Sequence, residues 1–168
     1  AFGCTARVGT GLTQPPAITA TATPTPVSCN GLSTGSASVT ASGGTPGTTT
    51  PYTYNWLPSG GNGSTANNLA AGSYTVTITD SRGCTVTRSV IITQPNPFSV
   101  TTNSTTATCG MSDGTAQIGV TGGTQPYTYN WSPSGGSANS ASGLAGGAYS
   151  VTVTDQLGCT TVASVTVG

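Results

Sequence analysis

Most of this chain consists of two copies of one sequence unit. The phrase PYTYNW occurs at 51–56 and again at 126–131, and LAAGSYTVTITDSRGCT at 69–85 returns as LAGGAYSVTVTDQLGCT at 144–160. Both pairs superpose at the same offset, so the chain is a tandem repeat. Whatever one unit folds into, its neighbour must fold into as well.

The boundaries of the units follow from the matching segments. We predict one repeat over residues 15–94 and a second over 95–168, joined by the proline-containing linker TQPNP, which is short and stiff. Residues 1–14 resemble the end of the first repeat. They are interpreted as the closing strand of a preceding repeat or, alternatively, as a donor strand that completes a neighbouring molecule.

Apolar and hydroxyl side chains alternate in short runs within each unit. Tyr74, Val76 and Ile78 alternate with threonines, a pattern typical of a strand with one buried face. A turn at 80–83 would join this strand to the next one as a hairpin. The predicted strands are 17–23, 36–41, 52–57, 74–79 and 84–92 in the first repeat, and 98–102, 115–121, 127–132, 149–153 and 159–167 in the second.

About seven short strands per unit, with turn residues between them and no helical periodicity, are typical of an immunoglobulin-like sandwich. The predicted fold is therefore all-β, with two tandem antiparallel β-sandwich domains.

The aromatic residues are expected to fill the cores. Tyr52, Tyr54 and Trp56 share one strand face, which favours packing in the interior over a sugar-stacking platform. Tyr74 and Tyr149 resemble the tyrosine corner of immunoglobulin-like domains. The predicted core aromatic residues are Tyr52, Tyr54, Trp56, Tyr74, Tyr127, Tyr129, Trp131 and Tyr149.

Charge is scarce, and this excludes several classes of function. Only 4% of the residues are charged, with three Arg, three Asp and no His, against about 25% charged residues in an ordinary soluble domain. Without Lys, Glu or His the chain lacks the usual general bases, and three scattered Arg cannot form a nucleic-acid surface. We predict no catalytic residue, no cofactor and no nucleic-acid partner.

Metal binding and membrane insertion are not expected either. Asp80, Asp113 and Asp155 raise the possibility of a calcium site, but so few carboxylates per unit favour turn capping. No apolar run approaches the roughly 18 residues that a membrane span requires.

Each repeat carries one early and one late cysteine: Cys29 and Cys84 in the first repeat, Cys109 and Cys159 in the second. We predict the disulfides Cys29–Cys84 and Cys109–Cys159, with buried free thiols as the alternative. Disulfides indicate an oxidising, extracellular compartment. Cys4 occupies the late position of a preceding unit and is expected to pair upstream or with another molecule.

The motifs PYTYNW-x-PSGG, LAAGSYTVTITDSRGCT and SVIITQP, taken together, resemble the SprB repeat of giant surface adhesins in Bacteroidetes. The resemblance extends over nearly the whole chain, although Thr34 stands where the second repeat has Asp113. It implies type IX secretion, display on the bacterial cell surface and a part in adhesion or gliding motility.

Three functional hypotheses follow. The first is a structural or adhesive module of a long surface filament, with neighbouring repeats as partners and surface polysaccharide as a candidate ligand. The second is a subunit of a homopolymeric fibre of identical chains, assembled by strand addition through the N-terminal segment. The third is a carbohydrate- or ice-binding module, for which exposed aromatic residues or the threonine rows at 75–79 and 152–154 would be required.

Overall fold

A computed structural model of the protein describes residues 14–49 and 51–168. This part of the chain forms strands and turns only, and so includes no helix able to cross a membrane. The strands of repeat 1 are β1 (Thr19–Thr25), β2 (Gly35–Ser42), β3 (Tyr52–Leu57), β4 (Thr65–Leu69), β5 (Gly72–Asp80) and β6 (Thr85–Ile92). Those of repeat 2 are β7 (Ser99–Thr105), β8 (Gly114–Thr121), β9 (Thr128–Ser132), β10 (Ser140–Leu144), β11 (Gly147–Thr154) and β12 (Thr160–Val167).

Each repeat is a sandwich of two three-stranded antiparallel sheets. In repeat 1 the sheet β1-β2-β4 faces the sheet β3-β5-β6, and in repeat 2 the sheet β7-β8-β10 faces β9-β11-β12. This order matches the A-B-E and C-F-G sheets of an immunoglobulin constant-type domain without its fourth strand. The predicted all-β, immunoglobulin-like fold is thus confirmed.

Each repeat has six strands, whereas about seven were expected and five were located in the sequence. The strands that the sequence patterns did not locate are β4 and β10. Their sequences, TANNL and SASGL, lack an apolar alternation. Pairing with a neighbour makes them strands: Ala66 lies opposite Ala37 on β2, and Ala141 lies opposite Ala116 on β8. Both alanine side chains are buried. The only sign of these strands in the local sequence was therefore a small apolar residue at the buried position.

The centre of each sandwich is formed by the strand that starts with Gly-x-Tyr. Val76 and Ile78 on β5 are fully buried, as are Val151 and Val153 on β11. Around them pack residues of both sheets, which in repeat 1 include Val27, Val39, Trp56, Leu69, Val90 and Ile92. The alternation seen in the sequence therefore places one face of each central strand in the core.

The two tryptophans lie inside these cores. Trp56 and Trp131 are 3% and 5% exposed, and each indole N–H donates to a carbonyl of the following loop, at Gly63 and Ala138, over 2.9 Å.

The PSGG phrase after each tryptophan has a steric cause. At Gly60, with φ +129°, an added Cβ would lie 2.9 Å from the Trp56 Cβ. Only glycine fits there.

The tyrosines bond to nearby backbone. The hydroxyl groups of Tyr74 and Tyr149 donate to the carbonyls of Ala70 and Ala145 over 3.1 Å, which is the tyrosine-corner geometry. Tyr52 and Tyr127, half-buried, donate to the glycine carbonyls that follow β2 and β8. Tyr54 and Tyr129 are half-buried beside the cores.

The predicted disulfide pairing is wrong in this structure: Cys29 is bonded to Cys159, and among the described residues Cys84 and Cys109 are free. Within a repeat the early cysteine lies beside the end of β6, because the Val27 N–H donates to the Thr93 carbonyl. The late cysteine immediately precedes the start of β6. The length of β6, roughly 25 Å at 3.3 Å per residue, therefore separates the two, whereas a disulfide requires Cα atoms within about 7 Å.

Each sandwich thus has an early-cysteine end, formed by the β1–β2 or β7–β8 turn, and a late-cysteine end, formed by the β5–β6 or β11–β12 turn. Cys4, predicted to pair outside the two repeats, and the predicted closing or donor strand at 1–14 lie outside the described residues except for Gln14.

Truncation of the central strand tests this assignment of the core. We expect Ile78→Ala to lower the free energy of unfolding of repeat 1 by about 2–5 kcal/mol, because Ile78 is fully buried. The matched control Ile91→Ala, at a side chain 65% exposed, should change it by less than about 0.5 kcal/mol. Urea unfolding followed by tryptophan fluorescence measures both, and equal effects would contradict the assignment.

Candidate functional site: the junction between the repeats

The two repeats meet where the early-cysteine end of repeat 1 contacts the late-cysteine end of repeat 2. Cys29 and Cys159 are joined there with their Cα atoms 5.6 Å apart, across 130 residues of sequence. Cys159 is buried at 8% exposure, and its Sγ lies 3.4 Å from the Ser28 carbonyl oxygen. A bond that closes so long a loop should constrain the unfolded chain by roughly 5 kcal/mol.

The linker between the repeats is hydrogen-bonded to both of them. The Asn30 side-chain amide donates to the Pro95 carbonyl, and the Gly31 N–H donates to the Gln94 side chain, each over 2.9 Å. On the other side, the Gly123 N–H donates to the Asn96 carbonyl over 2.8 Å. These bonds and the disulfide together hold one repeat against the next.

A cleft of about 370 Å³ runs along this junction. Its walls combine apolar side chains with both cysteines and Asp155, and the lining includes Leu32, Pro95, Phe98 and Thr160. Phe98 packs against Tyr127 with ring centroids 6.2 Å apart. Repeat 2 therefore contributes a packed aromatic side chain to the wall of the cleft.

A buried aspartate fixes the turn that carries each late cysteine. One Asp155 oxygen accepts the N–H groups of Leu157 and Cys159, and the other accepts the Thr124 N–H, all over 2.9 Å. Asp80 in repeat 1 makes the same three bonds, with Arg82, Cys84 and Thr45. The carboxylate therefore ties the turn to the loop that follows β2 or β8, and positions the cysteine at the end of the sandwich.

Glycine is required where that loop passes the carboxylate. An added Cβ on Gly44, at φ +63°, would lie 2.8 Å from the Asp80 Oδ2. The backbone N–H of Thr45, with those of Cys84 and Arg82, lowers the pKa of Asp80. These hydrogen bonds stabilise the charged form of the carboxyl group.

The turn that carries each early cysteine has its own cap. In repeat 2, Asp113 accepts the backbone N–H and the hydroxyl of Thr108, both over 2.6 Å, and these bonds lower its pKa. In repeat 1 the Thr34 hydroxyl accepts the Ser28 N–H over 3.0 Å. The hydroxyl at this position thus makes the same backbone bond as the carboxylate that it replaces.

All three aspartates are occupied as turn caps, and the described residues bring no three acidic, Cys or His side chains together as a metal site would require. The threonines of β5 are half-buried on its outer face, where Thr75 pairs with Ser89 through their hydroxyls, 3.1 Å apart. Both tryptophans are internal. The junction can hold two modules together through its disulfide and its hydrogen bonds.

The Asp80 cap makes stability depend on pH. A group whose pKa is lowered by folding stabilises the fold above its ordinary value, about 3.9 for Asp, and this contribution is lost as the pH falls through the folded-state value. We expect the melting temperature to fall as the pH is lowered below about 4. Asp80→Asn should lower it already at pH 7 and reduce the further loss in acid.

The matched control is Ser81→Ala, which removes the Ser81 hydroxyl bond to the Thr45 carbonyl in the same turn without removing a titrating group. This variant should melt lower at every pH by a similar amount. Circular dichroism melts between pH 7 and 2 measure both variants, and an unchanged pH dependence in Asp80→Asn would refute the cap's role.

Comparison with known proteins shows what the chain is similar to. No curated protein sequence matches the chain. A solved structure of the amphioxus IgVJ-C2 molecule is 13% identical, with 92% of this chain and 98% of that chain covered and a TM-score of 0.33.

The family model of the SprB repeat matches residues 21–64 and 101–136. The matched segments end before β4 and β10, so the match is narrower than the sequence resemblance predicted. Each segment includes the early cysteine and the PYTYNW strand of its sandwich. The chain is therefore similar to the SprB repeat in one segment of each sandwich.

Proposed function

We propose that this chain is a structural segment of an extracellular bacterial surface adhesin or filament, in which successive repeats are bonded end to end. The observation that carries this proposal is the position of the disulfide. A bond inside a domain stabilises that domain, whereas Cys29–Cys159 connects two domains and resists their separation. Such a bond persists in an oxidising environment, which fits an extracellular protein.

The composition of the sandwiches supports a spacer role. With 4% charged residues, the chain offers few ionic contacts to a partner. Every buried side-chain nitrogen or oxygen in the described residues has a hydrogen-bond partner, as expected of a rigid domain. Resemblance to adhesins that carry the same repeat adds secretion by the type IX system and a part in adhesion or gliding to the proposal.

The other two hypotheses receive no comparable support. Each three-stranded sheet has two edge strands that could pair with another strand, but the donor segment at 1–14 lies outside the described residues except for Gln14, so the structure adds no support for strand addition. A sugar-stacking platform needs exposed rings, but Trp56 and Trp131 are internal. An ice-binding face needs free hydroxyl rows, and those of β5 are half-buried.

Surface labelling tests the proposed location. An antibody against the folded chain should label intact cells that produce the parent protein, and brief external protease treatment should remove the signal. Labelling that appears only after permeabilisation would contradict an extracellular role.

Removal of the bridge tests the mechanical part of the proposal. In Cys29→Ser/Cys159→Ser the free energy of unfolding should fall by roughly 2–5 kcal/mol, and small-angle scattering should show a broader range of end-to-end distances. The junction would then be held by the covalent linker and its hydrogen bonds, each bond contributing about 1 kcal/mol.

The control for this experiment is Cys84→Ser/Cys109→Ser, which changes two exposed thiols and leaves the bridge intact. It should scatter like the unmodified chain. Identical scattering and stability in both double variants would show that the bridge does not lock the repeats.

A further inference from the structure

The two free thiols occupy the same positions in their repeats as the two bonded ones. Cys84 is the late cysteine of repeat 1, as Cys159 is of repeat 2, and Cys109 is the early cysteine of repeat 2, as Cys29 is of repeat 1. Cys159 is 8% exposed in the junction, while Cys84 is exposed at the opposite end of its repeat. The two late cysteines therefore differ in that Cys159 is buried against the neighbouring repeat, whereas Cys84 is exposed.

The backbone that presents Cys84 is the same as that which presents Cys159. The Cys84 N–H donates to the Asp80 carboxylate over 2.9 Å, and the Cys159 N–H donates to Asp155 over the same distance. In both repeats the residue before the cysteine is a glycine whose N–H bonds the aspartate carbonyl over 3.1 Å. Repeat 1 thus presents Cys84 in the geometry that, in repeat 2, supports an inter-repeat disulfide.

The surroundings of Cys109 likewise resemble those of Cys29, and we call this early-cysteine position and the surface around it the seat. Ala107 donates to the carbonyl at the end of β12 over 2.8 Å, as Val27 does to the carbonyl after β6 over 2.9 Å. A concave surface of about 380 Å³ surrounds Cys109 and includes Met111, whose side chain is 60% exposed. At the equivalent end of repeat 1, Leu32 lines the cleft against which repeat 2 is seated.

We propose that Cys109 and Cys84 are the connecting sites of a disulfide ladder, resting on the proposed role in an extracellular array. Cys109 bonds the late cysteine of a following SprB repeat, and Cys84 bonds the early cysteine of a preceding one. The partner at each end is another copy of this unit. Each unit carries an early cysteine in a seat at one end and a late cysteine on an aspartate-capped turn at the other, and these two ends are the ones that meet in the junction. Every repeat is then bonded to both neighbours rather than to itself.

The chemistry of each link is a two-electron oxidation. Two thiols lose two protons and two electrons, one S–S bond forms, and a disulfide oxidant such as oxidised glutathione is cleaved to two thiols by the same electrons and protons. Exchange in such a buffer is reversible, so the geometry of the two ends selects which pairs accumulate.

A mixing experiment with the full-length chain tests the ladder. Both variants carry Cys4→Ser; one also carries Cys84→Ser, which leaves Cys109, and the other carries Cys109→Ser, which leaves Cys84. One variant is ¹⁵N-labelled, and the two are mixed in a glutathione redox buffer. Trypsin and an Asp-N protease then place each cysteine on its own peptide, with Cys29 on 8–79, Cys84 on 83–88, Cys109 on 89–112 and Cys159 on 155–168.

We expect the mixed dimer, with peptide 89–112 linked to 83–88, to exceed the two symmetric dimers together by roughly tenfold. The 8–79 to 155–168 link reports in each sample that the junction is folded. Symmetric dimers as abundant as the mixed one, or glutathione adducts in place of dimers, would overturn the proposal.

A displaced thiol is the matched control. Cys109→Ser/Ser112→Cys, in the Cys4→Ser/Cys84→Ser background, keeps an exposed cysteine on the same concave surface but moves it along the turn from the position that corresponds to Cys29. This variant should form mixed and symmetric dimers without preference. A preference for the mixed dimer as strong as that of the Cys109 variant would show that general thiol reactivity explains the result. Because cell labelling does not depend on Cys84 or Cys109, failure of the ladder would be distinguishable from failure of the proposed extracellular role.

Discussion

The organisation of this molecule depends on the separation of two cysteines by the length of one strand. In each sandwich the early cysteine lies beside the end of the closing strand and the late cysteine lies just before its start. A rigid antiparallel sheet cannot bring these two points within bonding distance. The covalent bond is therefore made to the adjacent repeat, whose late-cysteine end meets the early-cysteine end of repeat 1.

The scarce charges of the chain are used to hold these cysteine-bearing turns. Asp80 and Asp155 each accept three backbone N–H groups at the late-cysteine ends, and Asp113 accepts two bonds at an early-cysteine end. Bonds to an ionised group are stronger than neutral ones. The caps thus fix the shape of the cysteine-bearing turns at the ends of the sandwiches. End-to-end assembly requires such fixed ends.

Most of the fold could be predicted because its signals are local. Alternation along β5 and β11 gives the buried face, and the Asp-x-x-Gly phrase gives the hairpin turn. β4 and β10 carried no such signal, because their strand character comes from pairing with β2 and β8.

The disulfide partners could not be read from composition, since the four cysteines of the two repeats already allow three pairings. The missing information was which end of the sandwich each cysteine occupies. A clue was present in the sequence: the late cysteine comes just before the last strand, and the linker that leads to the next repeat comes just after it. Once the early cysteine is placed beside that linker, as the Val27 bond shows, pairing within a repeat is excluded.

A non-reducing peptide map of the intact chain distinguishes a disulfide between the repeats from disulfides within them. After digestion with trypsin and an Asp-N protease, peptide 8–79, which carries Cys29, should be linked to peptide 155–168, which carries Cys159. Links from 8–79 to 83–88 and from 89–112 to 155–168 would contradict it, because each repeat would then be closed on itself.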